Sequence, residues 1–278
     1  MRIWLNILIL SLTITGCQDM ETRLKGNLKV YGHAGSGLKP EQYNYPPNSL
    51  ESIRKAIMAD GADGVEIDVQ MSKDSVLYLF HDDRMEGNTN FEGALVEHIS
   101  ANLDFAFYRK GYLPKDKFPV LRLDDLISWM NEKAINAGLS INIQAQKSAG
   151  DQTRFEEKVA ELILQASANL TTGSEVYIES TVPEQLDRLV QMKADEKIMW
   201  DADINPRTVE LAIYRKYDGL VSEFNKTSAA HVTHAKEQGV ITVLFGLRIY
   251  PNITDALEME PDIVQTDNVS LTISLRGS

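Results

Sequence analysis

Cysteine, long apolar runs and positive charge are all scarce in this 278-residue chain. Cys17 is the only cysteine, so no disulfide can form within the chain. The longest apolar run, residues 3–12, contains Asn6 and Ser11 and is too short for a transmembrane helix, which needs about 20 apolar residues. The 28 Lys and Arg against 40 Asp and Glu give a formal net charge of −12. Because nucleic-acid binding rests on clustered Lys and Arg, this balance argues against a nucleic-acid partner.

The first residues have the layout of a bacterial export signal. Arg2 precedes the apolar run, and small and polar residues follow it up to Gly16 and Cys17. The tetrapeptide Ile-Thr-Gly-Cys that ends at Cys17 resembles a lipobox, in which the cysteine is lipidated and becomes the new amino terminus. We predict a lipoprotein signal peptide over residues 1–16 and a lipidated tether over residues 17–26. The lipid anchor would hold the protein on the bacterial cell envelope, on the periplasmic side of a membrane or at the cell surface. The alternative is that Cys17 is a small buried apolar residue.

Short β-rich runs alternate with longer stretches of helical periodicity through the rest of the chain, which is typical of parallel βα units. The strand candidates are LKVYGH, GVEIDVQ, SINIQAQ, EVYIES, KIMWDA, GLVSEF, TVLFGL and DIVQTD. The helix candidates are Leu50–Ala59 opened by Asn48 or Ser49, a run through Trp129 preceded by Asp124, Glu184–Met192 started by Pro183, and Ser228–Gln238 closed by Gly239. Eight strands are what a closed barrel of this type needs, so residues 27–278 are predicted to form one (β/α)₈ TIM barrel.

One further strand-like run, VLYLFH at residues 76–81, follows the second strand after only a few residues. A parallel crossover needs a dozen or more residues, and no helix fits between Met71 and Ser75. We therefore predict a β-hairpin inserted after the second strand. With Asp74 and Ser75 as its two central residues, the register predicts that Asp68 lies opposite His81.

Two carboxylates share one face of the second strand. Alternate residues of a strand point the same way, so Glu66 and Asp68 are expected to point together towards the barrel interior. Such a pair is costly unless a cation holds it, and oxygen ligands suit Ca²⁺ or Mg²⁺. The alternative is a solvated edge strand. His33 ends the first strand in YGHAG, where it is either part of the same site or a surface histidine.

These motifs together resemble a known family. The segments YGHAG and GADGVEIDVQMSKDSVLYLFHDD, and the last strand ending in QTD, are similar to the glycerophosphodiester phosphodiesterases. The resemblance implies a (β/α)₈ barrel in which His33 and His81 are the acid–base pair. It also implies that Glu66 and Asp68 bind one divalent cation, Ca²⁺ or Mg²⁺. The implied reaction is hydrolysis of a small-molecule glycerophosphodiester, or a related lipid or glycan headgroup diester, to glycerol 3-phosphate and an alcohol.

The sequence departs from the family pattern at several positions. Ala34 follows the first histidine where the family usually has Arg, which indicates a divergent branch with His-Ala-Gly. Asn142, Gln144 and Gln146 lie where the family has an acidic residue and then Lys, so Gln144 is a doubtful metal ligand and Gln146 a candidate substrate contact. Strand-end carboxylates that could replace the missing acid are those of Glu179, Asp201, Glu223 and Asp267.

Two more residues are candidate substrate contacts. The family motif Pro-Glu-Asn is split here, so Glu41 is expected to reach the site only across an inserted QYNYPP. Phe245 lies where the family tends to have Trp. The segment between Asp83 and Pro119 is predicted to cap the site. His231 and His234, one helical turn apart, are interpreted as solvated helix positions.

Three functions are compatible with this pattern. The first is a metal-dependent phosphodiesterase in the cell envelope. The second is a catalytically weakened barrel that binds a phosphorylated headgroup without turnover, favoured by Ala34, Gln144 and Gln146. The third is a lyase that releases a cyclic phosphate from the same site. Retention of both histidines and both strand-two carboxylates favours an enzyme. The sequence carries no signal for an oligomeric state.

Overall fold

The structure, a computed structural model, describes residues 28–38, 45–109, 117–146 and 152–276. The predictions made for the signal peptide, the tether, Cys17 and Glu41 lie outside the described residues. Within the described ranges, no helix combines the length and the apolar character needed to cross a membrane.

Eight parallel strands form a closed barrel, which confirms the predicted fold class. β1 hydrogen-bonds to both β2 and β9 and so closes the ring, whose order is β1-β2-β4-β5-β6-β7-β8-β9. β3 is antiparallel and pairs with β2 alone. The strands are β1 (Lys29–Gly32), β2 (Gly64–Met71), β3 (Leu77–Leu79), β4 (Gly138–Ile143), β5 (Val176–Ser180), β6 (Lys197–Asp201), β7 (Gly219–Glu223), β8 (Ile241–Leu247) and β9 (Ile263–Thr266).

Helices surround the barrel and connect its strands. They are α1 (Leu50–Arg54, continued by the π-helical Lys55–Ala59), α2 (Ser100–Leu103), α3 (Leu123–Glu132), α4 (Gln152–Ala168), α5 (Pro183–Gln191), α6 (Pro206–Arg215), α7 (Ala229–Glu237), α8 (Tyr250–Glu258) and α9 (Val269–Arg276). Short 3₁₀ turns cover Leu95–Glu97 and Phe224–Lys226. Of the two predicted openers, Asn48 and Ser49, the N-cap is Ser49, whose hydroxyl accepts a backbone N–H of the first turn. The helix predicted over Ser228–Gln238 covers Ala229–Glu237, with the Ser228 hydroxyl as its N-cap. The start predicted after Asp124 was too late, since α3 begins at Leu123 with Arg122 as its N-cap.

Strand alternation divides the core into two layers. The outward residues of β2, which are Val65, Ile67 and Val69, are fully buried and pack in the main apolar cluster with the surrounding helices. A second, interior cluster contains Tyr31, Tyr177, Met199, Val221, Val243 and Ile263. Gly64 and Gly138 make room for the Tyr31 ring, since a Cβ on either glycine would overlap it. Apolar side chains therefore fill part of the barrel interior, as in other barrels of this class.

The predicted hairpin is present, but its predicted register was wrong by one residue. Val69 pairs with Leu79, and the Phe80 N–H donates to the Asp68 carbonyl over 3.0 Å, so Phe80 rather than His81 lies opposite Asp68. The cause is the turn, which has three residues, 73–75, instead of two. Ser75 takes the left-handed conformation at φ 66°, as expected for the last residue of a three-residue hairpin loop.

The third barrel strand was predicted too late in the chain. We expected residues 140–146, whereas β4 covers Gly138–Ile143. Gln144 and Gln146 therefore lie beyond the strand end, although the Gln144 N–H still donates to the Val69 carbonyl over 3.0 Å. The two extra residues at the start, Gly138 and Leu139, pair with Gly64 and Val65 of β2.

The segment after the hairpin forms a small core of its own. Tyr78 and Phe80 of the hairpin pack with buried residues of the insertion, namely Met85, Leu95, Leu103, Ala106, Tyr108, Phe118 and Val120. Tyr108 is therefore part of a core, whereas Phe105 is 75% exposed. The insertion is anchored on β3 and so lies at the end of the barrel where β2 ends.

Candidate active site

His33 is oriented by a buried carboxylate. It lies in the turn after β1, and its Nδ1 is 2.9 Å from Oδ1 of Asp267, which follows β9 and is only 4% exposed. Asp267 is itself held by the Leu38 N–H over 2.8 Å and by Nε of Arg248 at 3.2 Å. The imidazole is therefore positioned by two adjacent strand ends, and its Nε2 is left to face Glu66 at 3.9 Å.

This pair shifts both pKa values in opposite directions. Burial opposes the charged form of His33, but the hydrogen bond and negative charge of Asp267, helped by the charge of Asp68, raise the pKa of His33 above 6.5. Burial likewise opposes ionisation of Asp267. The hydrogen bond and charge of His33, with a backbone N–H and a nearby guanidinium, nevertheless hold the pKa of Asp267 below 3.8. Both shifts favour an imidazolium–carboxylate pair.

Glu66 projects from β2 into the barrel and is 1% exposed. Its Oε2 accepts the Ala34 N–H over 2.8 Å, while its Oε1 is buried and has no hydrogen-bond partner among the described residues. Burial and the neighbouring carboxylates of Asp68 and Glu179 raise the pKa of Glu66 well above 4.5. An orphaned carboxylate oxygen of this kind is a ready ligand for a hard cation.

Asp68 is surrounded by amide groups. Asn48 binds it twice, since its Nδ2 donates to Oδ2 over 2.8 Å and its Oδ1 accepts the Asp68 N–H over 2.9 Å. The Gln144 amide nitrogen donates to Oδ1 over 2.5 Å. The nitrogen of Gln144 therefore faces the carboxylate, and the role of Gln144 as a metal ligand stays a prediction.

His81 lies just after β3, at the same end of the barrel as His33. Its Nδ1 is 2.9 Å from Oδ1 of Asp82, and the side chain is 42% exposed. A positive charge on His81 lowers the pKa of His33, so the two imidazoles interact electrostatically. The hairpin thus brings the second histidine to the mouth of the barrel, although in a register different from the predicted one.

The remaining predicted residues differ in their surroundings. The Phe245 ring is tilted against the His33 ring, with centroids 6.1 Å apart. The Gln146 amide accepts from the Met71 N–H over 2.8 Å and donates to the Met71 carbonyl over 3.1 Å. Gln146 thus links the end of β4 to β2, and its contact with substrate stays a prediction.

The sequence did not predict the contacts that two residues make at the site. The sequence indicates Asn48 only as a helix opener, yet its left-handed backbone, at φ 62°, lets its side chain bind Asp68. The strand-end position of Asp267 indicates only a substitute metal ligand, whereas in the structure its carboxylate binds the His33 ring. The signal for Asn48 was its placement immediately before the N-cap Ser49.

The donor set suits a divalent cation, although the side chains are not gathered around one point. In the described part of the chain, no three His, Cys, Asp or Glu side chains are grouped so that they could hold a metal ion as they stand. The unpartnered Glu66 oxygen nevertheless lies in a strongly acidic interior. Burial raises the pKa of Glu179 to about 7 and that of Asp201 to about 6. Negative charges on neighbouring carboxylates contribute to both raised pKa values.

Solved structures with this fold include phosphodiesterases. A phosphodiesterase from Oleispira antarctica, in complex with the product sn-glycerol-3-phosphate, is 18% identical with a TM-score of 0.75, over 90% of this chain and 97% of that one. A glycerophosphodiester phosphodiesterase from Parabacteroides distasonis is 17% identical with a TM-score of 0.73, over 90% and 97%. Similarity at this identity shows a shared fold.

Sequence relatives give the family. A glycerophosphodiester phosphodiesterase of Bacillus altitudinis is 27% identical over 140 residues, which are 49% of this chain and 52% of that protein. The chain thus spans about half the length of the curated relatives it matches first. The model of the glycerophosphoryl diester phosphodiesterase family matches residues 41–271, well over half of the chain. The resemblance in its motifs is thereby confirmed, and the chain belongs to the glycerophosphoryl diester phosphodiesterase family.

Proposed function

We propose that this protein hydrolyses small glycerophosphodiesters to glycerol 3-phosphate and an alcohol. The observation that carries the proposal is the arrangement of His33, held by the buried Asp267 and facing the orphaned Glu66 carboxylate. Family membership supports the reaction type, and the sn-glycerol-3-phosphate bound to the Oleispira antarctica protein supports the product.

The two histidines take opposite roles. His33 is the general acid, since Asp267 stabilises its protonated form and Nε2 can then donate to the leaving alkoxide. His81 is the general base and removes the proton of the attacking oxygen, either water or a neighbouring hydroxyl of the substrate. Because acid and base must be in opposite protonation states, turnover has a bell-shaped pH dependence.

Glu66 and Asp68 would hold one divalent cation of the Ca²⁺ or Mg²⁺ class. When bound, it would neutralise negative charge on the phosphodiester. The amides of Asn48 and Gln144 keep Asp68 oriented towards the interior. Ala34 supplies no side-chain charge to the site, but its N–H orients Glu66 over 2.8 Å.

A second candidate is a barrel that binds a phosphorylated headgroup without turnover. It is favoured by the amide of Gln144 and the methyl group of Ala34 where the family resemblance expects charged groups. The test incubates the full chain, purified in detergent, with a panel of glycerophosphodiesters and Ca²⁺, Mg²⁺ or chelator. We expect release of glycerol 3-phosphate, lost in His81→Ala. Saturable binding with no phosphomonoester released under either cation would establish the binding protein instead.

We also propose that a lipid on Cys17 attaches the protein to the cell envelope. The support is the sequence alone, namely the apolar run and the Ile-Thr-Gly-Cys tetrapeptide. Mass spectrometry of the protein expressed in a bacterium should find a diacylglyceryl group on Cys17. Cys17→Ser should be unlipidated and extract without detergent. An unmodified Cys17 in the membrane fraction would contradict this proposal.

A further inference from the structure

Glu179 places its carboxylate near the axis of the barrel. It points inward from β5, is 2% exposed, and accepts hydrogen bonds at Oε1 from the Ser140 hydroxyl and from the Gln265 amide. Ser140 is on β4, next to β5, but Gln265 is on β9, four places away in the ring of eight strands. Strands four places apart face each other across the barrel. The Glu179 side chain therefore reaches towards the opposite wall.

Glu66 lies beside this carboxylate. Ser140 is the register partner of Glu66 between β2 and β4, and the same serine donates to Glu179. Its short side chain leaves room for the two longer acidic side chains to approach above it. In line with this placement, the charge of Glu179 opposes ionisation of Glu66 and contributes to its raised pKa.

Neither carboxylate is paired with a lysine or arginine side chain in the described part of the chain. Among the residues that the structure describes, no Lys or Arg lies within 4.0 Å of Glu66 or Glu179, and the nearest imidazole nitrogen, Nε2 of His33, is 3.9 Å from Glu66. The partners of Glu179 are a hydroxyl and an amide, both neutral. Buried carboxylates of this kind are costly unless they are protonated or bind a cation.

We propose that Glu66 and Glu179 together bind the divalent cation, with Glu179 supplying the carboxylate that position 144 lacks. The inference rests on the proposed function only in taking this cation to be the one used at the phosphodiester site. Gln144 then has a different task, because its amide nitrogen donates to Asp68 over 2.5 Å and orients that carboxylate. In this proposal the third acidic ligand is on β5, at Glu179, and not at position 144 after β4.

The test is isothermal titration calorimetry of the full chain with Ca²⁺ and, separately, Mg²⁺. Glu179→Gln should weaken binding of the preferred cation at least about tenfold, since it removes a ligand charge but keeps an oxygen for Ser140 and Gln265. The matched control is Glu223→Gln, the same change at the inward end of β7, where the carboxylate already pairs with Lys226 at 3.3 Å. It should change affinity less than about threefold. Adding Gln144→Glu to Glu179→Gln should restore part of the affinity.

Unchanged affinity in Glu179→Gln, or no cation binding by the wild-type chain, would overturn the inference. The proposed function fails separately, if the wild-type chain binds the cation but releases no phosphomonoester. Folding of the variants is checked by circular dichroism in chelator. If Glu179→Gln does not fold, Mn²⁺ soaked into wild-type crystals decides the matter. An anomalous peak within about 2.6 Å of both carboxylates supports the inference, and a peak away from Glu179, or none, overturns it.

Discussion

The bond between His33 and Asp267 determines which proton the site can deliver. Asp267 is buried, ionised and bonded to Nδ1 over 2.9 Å, so the proton on Nδ1 is held and Nε2 is the nitrogen left for the substrate in the proposed mechanism. His81 has a similar aspartate neighbour, Asp82, but both side chains are about two-fifths exposed. The two imidazoles therefore lie in different electrostatic surroundings, which is what opposite catalytic roles require.

Replacing Asp267 should move one limb of the pH profile. A general acid must be protonated, so activity falls as pH rises through its pKa. Asp267 raises the pKa of His33, so Asp267→Asn should lower it and shift the alkaline limb of kcat/KM to lower pH. The acid limb should stay in place. A full pH–rate profile of both proteins measures this, and an unshifted alkaline limb would show that His33 is not the acid.

Leaving-group chemistry should separate the two histidines. Loss of a general acid or base typically costs about 10²- to 10⁴-fold in rate. His33→Ala should show that loss on a glycerophosphodiester with an alkyl leaving group, and a much smaller loss on the p-nitrophenyl ester, whose leaving oxygen needs no proton. His81→Ala should be impaired on both. The measurement is kcat for each pair, and equal losses in His33→Ala on the two esters would contradict the assignment.

Among single residues, the sequence predicted best the histidines and carboxylates of the candidate site, because their residue types themselves suggest acid–base and metal-binding roles. His33, Glu66, Asp68 and His81 all lie at one end of the barrel. The partners of these residues were harder to predict, because they depend on side-chain reach across strand ends. Asp267 is 234 positions from His33 in the chain, and Asn48 reaches Asp68 only through a left-handed backbone.

In the hairpin, a turn longer by one residue changes which residue of β3 lies opposite each residue of β2. A two-residue turn places His81 opposite Asp68, while the observed three-residue turn places Phe80 there. The short connection from Met71 to Ser75 predicted the hairpin, and the alternation of β2 predicted which of its residues share a face. The sequence did not predict the length of the turn, because Ser75 is left-handed and serine, unlike glycine or asparagine, is rarely found in that conformation. The Asp74 carboxylate, which accepts from the Ser100 N–H and hydroxyl, ties the turn to the insertion.

Substitutions at Ser75 should report the turn conformation. Ser75→Gly should raise the free energy of unfolding by up to about 1 kcal/mol, because glycine adopts φ 66° without steric cost. Ser75→Val should lower it by about 1–2 kcal/mol, since a β-branched side chain is strained there. Urea unfolding of the three proteins measures both changes. Equal stability of all three would mean that residue 75 is not left-handed.

The eight barrel strands were predictable as elements, since each is a short apolar run bounded by helical stretches. The end of β4 could not be predicted from the sequence. Residues 144–146 continue the polar–apolar alternation, although the pairing of β4 with β5 has already ended at Asn142. The same stretch, residues 144–146, also departs from the family pattern. Both facts describe one place, where polar amides hold β4 against β2 in a position that other family members are expected to use for charge.

The interior of the whole molecule is apolar in one part and strongly acidic near the mouth. Burial raises the pKa values of Glu66, Glu179 and Asp201, so the folded state binds protons that the unfolded chain releases. Stability from these groups is present at low pH and is lost as pH rises through the folded pKa values. The raised pKa of His33 acts in the same direction.

In chelator, the protein should therefore become less stable between about pH 5 and pH 7.5. Saturating Ca²⁺ or Mg²⁺ should reverse most of this loss at the upper end, because a ligand of the folded state alone adds stability. Urea unfolding across that range, with chelator and with each cation, provides the measurement. Stability in chelator that is flat or rises with pH would show that the interior carboxylates are already compensated.

The central claim is that one site, with two imidazoles and a cation-binding acidic interior, cleaves a glycerophosphodiester. Phosphorus NMR of the full chain incubated with such a diester and Ca²⁺ or Mg²⁺ tests it most directly. The account predicts that the diester resonance is replaced by that of glycerol 3-phosphate, and that the double variant His33→Ala/His81→Ala leaves the diester intact. A diester that persists with the wild-type chain, a cyclic phosphate as the final product, or turnover by the double variant would contradict the account.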